Sequence, residues 1–229
     1  MKASILAISF LLLASCSSFG PAPTSACGDA GPATFFFPAR SFYIPDPDPN
    51  THYNHTLKRD AEDRQYYSES LIYLKEPTLS CGPAPADETY RFLWLRSFHA
   101  DVAIRVARTA DSYTLIAVTP TKRSDGSYRL RHIHRTLTAE QWASITASLT
   151  GHDFWNQPTL NDGPFSVCDP VTSMTTISPG GYDGARWIIE GRTDRYHVID
   201  RWSDDKAGTS IGRAMLALAN LGIPEEDIY

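Results

Sequence analysis

Only four cysteines and three methionines occur among the 229 residues, and no apolar run approaches the roughly 18 residues that a membrane-crossing helix needs. Lys plus Arg number 21 against 26 Asp plus Glu, a net charge of −5, and the basic residues form no continuous run. Nucleic-acid binding, which requires a basic patch to neutralise phosphates, is therefore not expected. Cys-x-x-Cys spacing is missing, so a dithiol redox centre or a structural zinc site has no sequence support. Gly-x-Ser-x-Gly is missing too, which removes the motif of one large class of serine hydrolases.

What is present is the balance of an ordinary globular chain, 42% hydrophobic and 21% charged, behind a distinctive start. Met1-Lys2 supplies a short positive end, and Ile5 to Leu13 is a nearly unbroken apolar stretch of secretory-signal length. Leu13-Ala14-Ser15-Cys16 follows. This order resembles the lipobox of bacterial lipoproteins. The resemblance implies a signal peptide over residues 1–15 and an acylated Cys16 that holds the chain to membrane lipid. Ser17, rather than Asp, after the cysteine implies the outer membrane, facing the periplasm. A plain secretory signal cleaved elsewhere is the alternative. At about 0.8 kcal/mol per buried CH₂, the three acyl chains usual in such proteins make anchoring effectively permanent.

Residues 16–33 are dominated by Ser, Gly, Pro and Ala, bury too little to offset ordering, and read as a flexible tether of up to roughly 50 Å. The rest, 34–229, reads as one α+β domain. Phe35 to Ile44 is too aromatic for a linker and is expected to dock on the body, while Pro45, Pro47 and Pro49 enforce extended chain. Tyr67, Leu71 and Leu74 mark a helix within 60–75. Strands are expected at 90–98, 102–107, 113–118 and 128–137, the last opened by an Asp125-Gly126 turn. Thr138 and Gln141 form a capping box that starts a helix carrying Trp142, Ile145 and Leu149. Strands at 171–177, 185–190 and 195–202 and a helix at 209–221, with Ala214, Leu218 and Leu221 on its stripe, complete the chain. This order predicts either one antiparallel sheet with helices on one face or two β-β-β-α halves, about 88–150 and 168–222. Tyr90 to Arg96, Gly181 to Trp187 and Tyr196 to Trp202 resemble segments of uncharacterised proteobacterial exported proteins, a resemblance that implies no activity.

Three cysteines remain beyond Cys16. In an oxidising compartment, Cys81 with Cys168 is the favoured disulfide because both flank folded elements, whereas Cys27 lies in the tether. His132 and His134 share a strand face and could offer two imidazoles to a metal, with His99, Asp101 or His197 as third ligand. Arg129, Arg131 and Arg135 around them would repel a cation, so a solvated face is the preferred reading and no cofactor is expected. His197 and Asp200 fall on opposite strand faces, which counts against a catalytic pair. Asp204-Asp205 and Glu225-Glu226-Asp227 read as solvated charge, Gly180 to Gly184 as a hairpin loop, and Asn54-His55-Thr56 as a chance sequon. Trp94, Trp142, Trp155, Trp187 and Trp202 are expected mainly in the core. The leading expectation is a membrane-anchored, non-enzymatic module that binds another envelope component, an envelope protein among the candidates, through its body. An exported hydrolase or metal-dependent enzyme is the rival, and a purely structural envelope lipoprotein is the third reading.

Overall fold

The computed structural model describes residues 35–43, 57–82, 84, 86–160, 167–168, 175–176 and 184–229. The lipobox with Cys16, the tether with Cys27, the sequon at Asn54 and residues 180–183 of the glycine-rich loop lie outside the described residues. Helix α1 (Leu57–Tyr73) leads into strands β1 (Glu88–Arg96), β2 (Val102–Arg108), β3 (Tyr113–Lys122) and β4 (Tyr128–Leu137). Helix α2 (Ala139–Gly151) follows, then the two-residue strands β5 (Val167–Cys168) and β6 (Thr175–Thr176), which pair only with each other. Strands β7 (Ala185–Arg192) and β8 (Tyr196–Trp202) and helix α3 (Lys206–Ala219) close the order.

Six strands form one antiparallel sheet in the order β4-β3-β2-β1-β7-β8. The β1–β7 pairing, with Trp94 opposite Trp187, joins what the sequence offered as two halves into a single sheet. Of the expected strand at 171–177 only Thr175–Thr176 is a described strand, and it stands outside the main sheet.

Both faces of the sheet are covered. Alternation along each strand sends Phe92, Trp94, Ile104, Val106, Leu115 and Trp187 to one side, where α2 contributes Trp142, Ile145 and Leu149 and α3 contributes Ile211, Met215 and Ala219. The expected α3 stripe is rotated, with Met215 fully buried while Ala214 and Leu218 are only half-buried, because Gly212 lets the helix sit directly on Trp187. A Cβ at Gly212 would lie 2.4 Å from the Trp187 ring. The capping box holds: Thr138 Oγ1 accepts from the Gln141 amide and Gln141 Oε1 from the Thr138 amide.

The other face carries Leu93, Leu95, Ala103, Val118, Ile188 and Val198, and α1 covers it with Tyr67, Leu71 and the following Leu74. Helices thus pack on the sheet as expected, with α1 adding a second covered face. Strand β1 shows why: its seven inner residues are all buried, as in strands enclosed on both sides. The aromatic N-terminal segment docks here as well. Asp60 of α1 accepts from the amides of Arg40 and Phe42, Ser68 from the amide of Phe36, and Phe37, Phe42 and Tyr67 meet edge to face.

Candidate functional site

Beneath α1 the sheet carries charge in its interior. Arg91 on β1 meets Glu190 on β7 at 2.5 Å, both fully buried, and Glu76 bridges Arg91 and Arg105. Tyr196 donates its hydroxyl to Glu190 at 2.9 Å. Burial raises the Glu190 carboxyl above its ordinary range, with Arg91 and Tyr196 opposing. Two residues along the β7–β8 register, Tyr67 donates to Asp200 at 2.9 Å and Arg186 meets the same carboxylate at 3.3 Å. Burial by itself would weaken the Arg186 cation; Asp200, Tyr67 and Asp63 together outweigh it and hold the guanidinium firmly charged. Burial lifts Asp63 to about 6 against the pull of Arg59 and Arg186. Each charge here has a partner, although Asp200 Oδ1 accepts no hydrogen bond among the described residues, and the Tyr67–Asp200 bond fastens α1 to the sheet, where a lone buried charge would cost several kcal/mol.

The other expected site residues do not converge. His197 sits on the opposite face from Asp200, 5.1 Å from the Phe154 ring and against Trp155. Burial, aided by Arg195 and Arg201, drops it to about 4 and keeps the imidazole neutral. His99 instead meets the Tyr229 hydroxyl at 3.0 Å and Asp227 at 3.7 Å, while Asp101 accepts from Ser70. Of the carboxylates read as solvated charge, Asp204 and Glu226 are exposed, while Asp205 caps α3 through the Gly208 amide and exposed Glu225 pairs with Arg213. Trp94, Trp142 and Trp187 are core, both indoles of Trp94 and Trp187 donating to the main-chain oxygen of Tyr229. Trp155 and Trp202 are only half-buried, each stacked under a guanidinium, of Arg195 and Arg186 respectively. Phe98 lies beyond the end of β1 and is 69% exposed. Cys81 is disulfide-bonded.

His132 and His134 do share a face of β4, exposed, with ring centroids 6.4 Å apart. Among the described residues no group of three or more His, Cys, Asp or Glu gathers around a common point.

Strand β4 is where unspent polar groups collect. Its ten residues form one end of the sheet, and only Leu137 is fully buried. Ile133 and Leu137 touch the α2–α3 core and Leu130 the α1 core, so Arg129, Arg131 and Arg135 line the first side and Tyr128, His132 and His134 the second. The turn before it is set by Gly126 at φ +84° and by Asp125, which accepts from the Ser127 amide. Pairing of β3 with β4 adds Lys122 and Arg123, giving the hairpin five cations against the single carboxylate of Asp125. Around its tip Thr121, Lys122, Arg123, Ser124, Asp125 and Arg129 line an open polar hollow of about 420 Å³.

Eight other arginines, Arg59, Arg64, Arg91, Arg105, Arg108, Arg186, Arg201 and Arg213, are ion-paired. None of the five hairpin cations pairs with a described carboxylate; Arg131 alone is tied down, donating to the main-chain oxygen of Leu221. In the sequence the β4 arginines stand out only as neighbours of His132 and His134. Cross-strand pairing, which no linear run displays, is what gathers them. Compared with known proteins, the chain matches no family model and no curated sequence.

Proposed function

We propose that the chain is a bacterial lipoprotein, held by acylated Cys16 to the periplasmic face of the outer membrane, whose α+β body is a non-enzymatic docking module with β4 as its contact surface. The observation that carries this reading is the contrast between spent and unspent charge. The acids and bases best suited to chemistry are buried and bonded in separate groups, Asp200 to Tyr67 and Arg186, and Glu190 to Arg91 and Tyr196. The exposed cations of the β3–β4 hairpin lack described carboxylate partners and face outward. The positive Met1-Lys2 end, the apolar Ile5 to Leu13 and the Leu13-Ala14-Ser15-Cys16 pattern support the anchor. A Cys81–Cys168 disulfide belongs to the same proposal, since Cys81 is bonded and the envelope is oxidising. Non-reducing peptide mapping should then return one fragment joining the two.

Two experiments test the function. Cys16→Ala should abolish incorporation of labelled palmitate and release the protein from membranes; persistent label in that variant contradicts the anchor. In cells, a photocrosslinker at His134 should capture a partner protein that one at Glu140 on α2 does not. Capture from α2 with none from β4 overturns the docking surface.

A further inference from the structure

We infer that β4 is a strand-addition site that admits an extended acidic segment of a partner protein and rejects other strands. This rests on the reading of the body as a docking module and specifies the chemistry of its partner. The first ground is the backbone. In an antiparallel pair, every second residue turns its N–H and C=O away from its neighbour, so the terminal strand offers a ladder for one more. Strand β4 pairs with β3 over ten consecutive residues, Tyr113 with Leu137 through Lys122 with Tyr128, without a bulge. It holds no proline. Among the described residues nothing pairs with its outer side.

The second ground is charge. Arg129 and Arg135 stand exposed on one side of β4, with Arg131 between them, and Lys122 and Arg123 extend the field past the turn. A strand laid along β4 brings its side chains within about 5 Å of these, where opposite charges stabilise and like charges oppose. A second copy of β4 would set arginine against arginine, and a basic strand would fare no better. Carboxylates at alternate positions meet Arg129 and Arg131 and, one such position past Ile133, Arg135. Tyr128, 59% exposed, and half-buried Leu130 supply apolar contact on the other side, and the hollow at the hairpin tip, rimmed by Lys122, Arg123 and Arg129, receives a further carboxylate beyond the ladder. Backbone bonds give such docking its affinity, and the side chains give it selectivity.

The test uses the full-length protein and synthetic peptides of alternating Glu and Thr, matched in length to β4, with two controls: the same peptide N-methylated at alternate backbone amides, and a version with Lys for Glu. Binding is read by fluorescence anisotropy at low and raised salt. The Glu peptide should bind, weaken with salt, and lose at least about tenfold in affinity on N-methylation or against Arg129→Glu with Arg135→Glu, whereas the Lys peptide should gain binding to that variant. An unchanged thermal midpoint verifies that the variant is folded. No binding of the Glu peptide, equal binding of the N-methylated form, or uptake of phosphatidylglycerol vesicles in place of the peptide each overturns the proposal. Crosslinks from β4 in cells alongside any of those outcomes would leave the docking module standing and remove only the acidic strand; loss of both removes both.

Discussion

The two edges of the sheet are managed in opposite ways. At β8 the chain between α2 and β7 returns along the strand: Leu160 bridges Asp200 in parallel, and the Asp200 amide donates to the Thr159 carbonyl at 2.7 Å. Arg201, 3% exposed, fastens this cover by donating to the carbonyls of Thr159 and Pro158 and to Gln157 Oε1 at 2.6 to 2.8 Å. At β4 no described segment does the same, and the edge is guarded by arginines alone. An open edge is a hazard for unspecific pairing, and either cover or charge suppresses it. Cover closes an edge to everything, whereas charge closes it only to strands of the wrong sign. That difference is why β4, and not β8, is the surface proposed for docking.

Breaking the β8 cover should have the largest effect. Arg201→Ala removes hydrogen bonds to four oxygens, of Gln157, Pro158, Thr159 and Asp200, and should cost about 2–4 kcal/mol, read as a lower urea midpoint, with faster amide exchange in 196–202. Gly191→Ala attacks the same region through packing. Its Cβ would lie 2.6 Å from the ring of Phe154, in the turn that leads into the cover, and should cost about 1–3 kcal/mol by the same measurement.

A pH effect comes next. His197 on β8 ordinarily titrates near 6.5 and is held at about 4 chiefly by burial. A depressed folded value means that its contribution is present above pH 6.5 and is lost as the pH falls through 4. His197→Gln should therefore shrink the drop in urea midpoint between neutral pH and about pH 4.5 relative to the parent chain. A drop of unchanged size would separate acid lability from this residue. Asp63 has the opposite sign: raised to about 6, it contributes most below 3.8 and loses that contribution as the pH rises through 6.

The smallest stability effect belongs to β4. Arg129→Ala with Arg135→Ala should leave stability within about 0.5 kcal/mol, since both are exposed and unpaired with any described carboxylate. The same change should raise self-association on light scattering, because it removes the guard without adding a cover.

Much of this architecture was legible from residue spacing. The alternation of Tyr90, Phe92 and Trp94, the Asp125-Gly126 turn and the Thr138–Gln141 box all mark real elements, and the docking of Phe36, Phe37 and Phe42 follows from their aromatic density. Helices were expected on one face, and α1 adds the second; its trace in the sequence is the continuously apolar Phe92 to Leu95, a pattern of strands enclosed on both sides. What spacing could not reveal was pairing across the sheet. Arg91 and Glu190 are 99 residues apart and look like solvent-facing charge until the β1–β7 register sets them opposite. The same holds for the candidate site. Arg129, Arg131 and Arg135 alternate as any polar strand face would, and their isolation from carboxylates emerges only once eight other arginines are seen to be paired.

The most direct measurement is residue-resolved amide hydrogen exchange along β4 and β8, with and without the alternating Glu peptide. Every second amide of β4 should exchange rapidly in the free protein and become protected with peptide, while Asp200 on β8 stays protected throughout. Protection of all β4 amides in the free protein, matching that of Asp200, would mean that the edge is covered and would contradict the account.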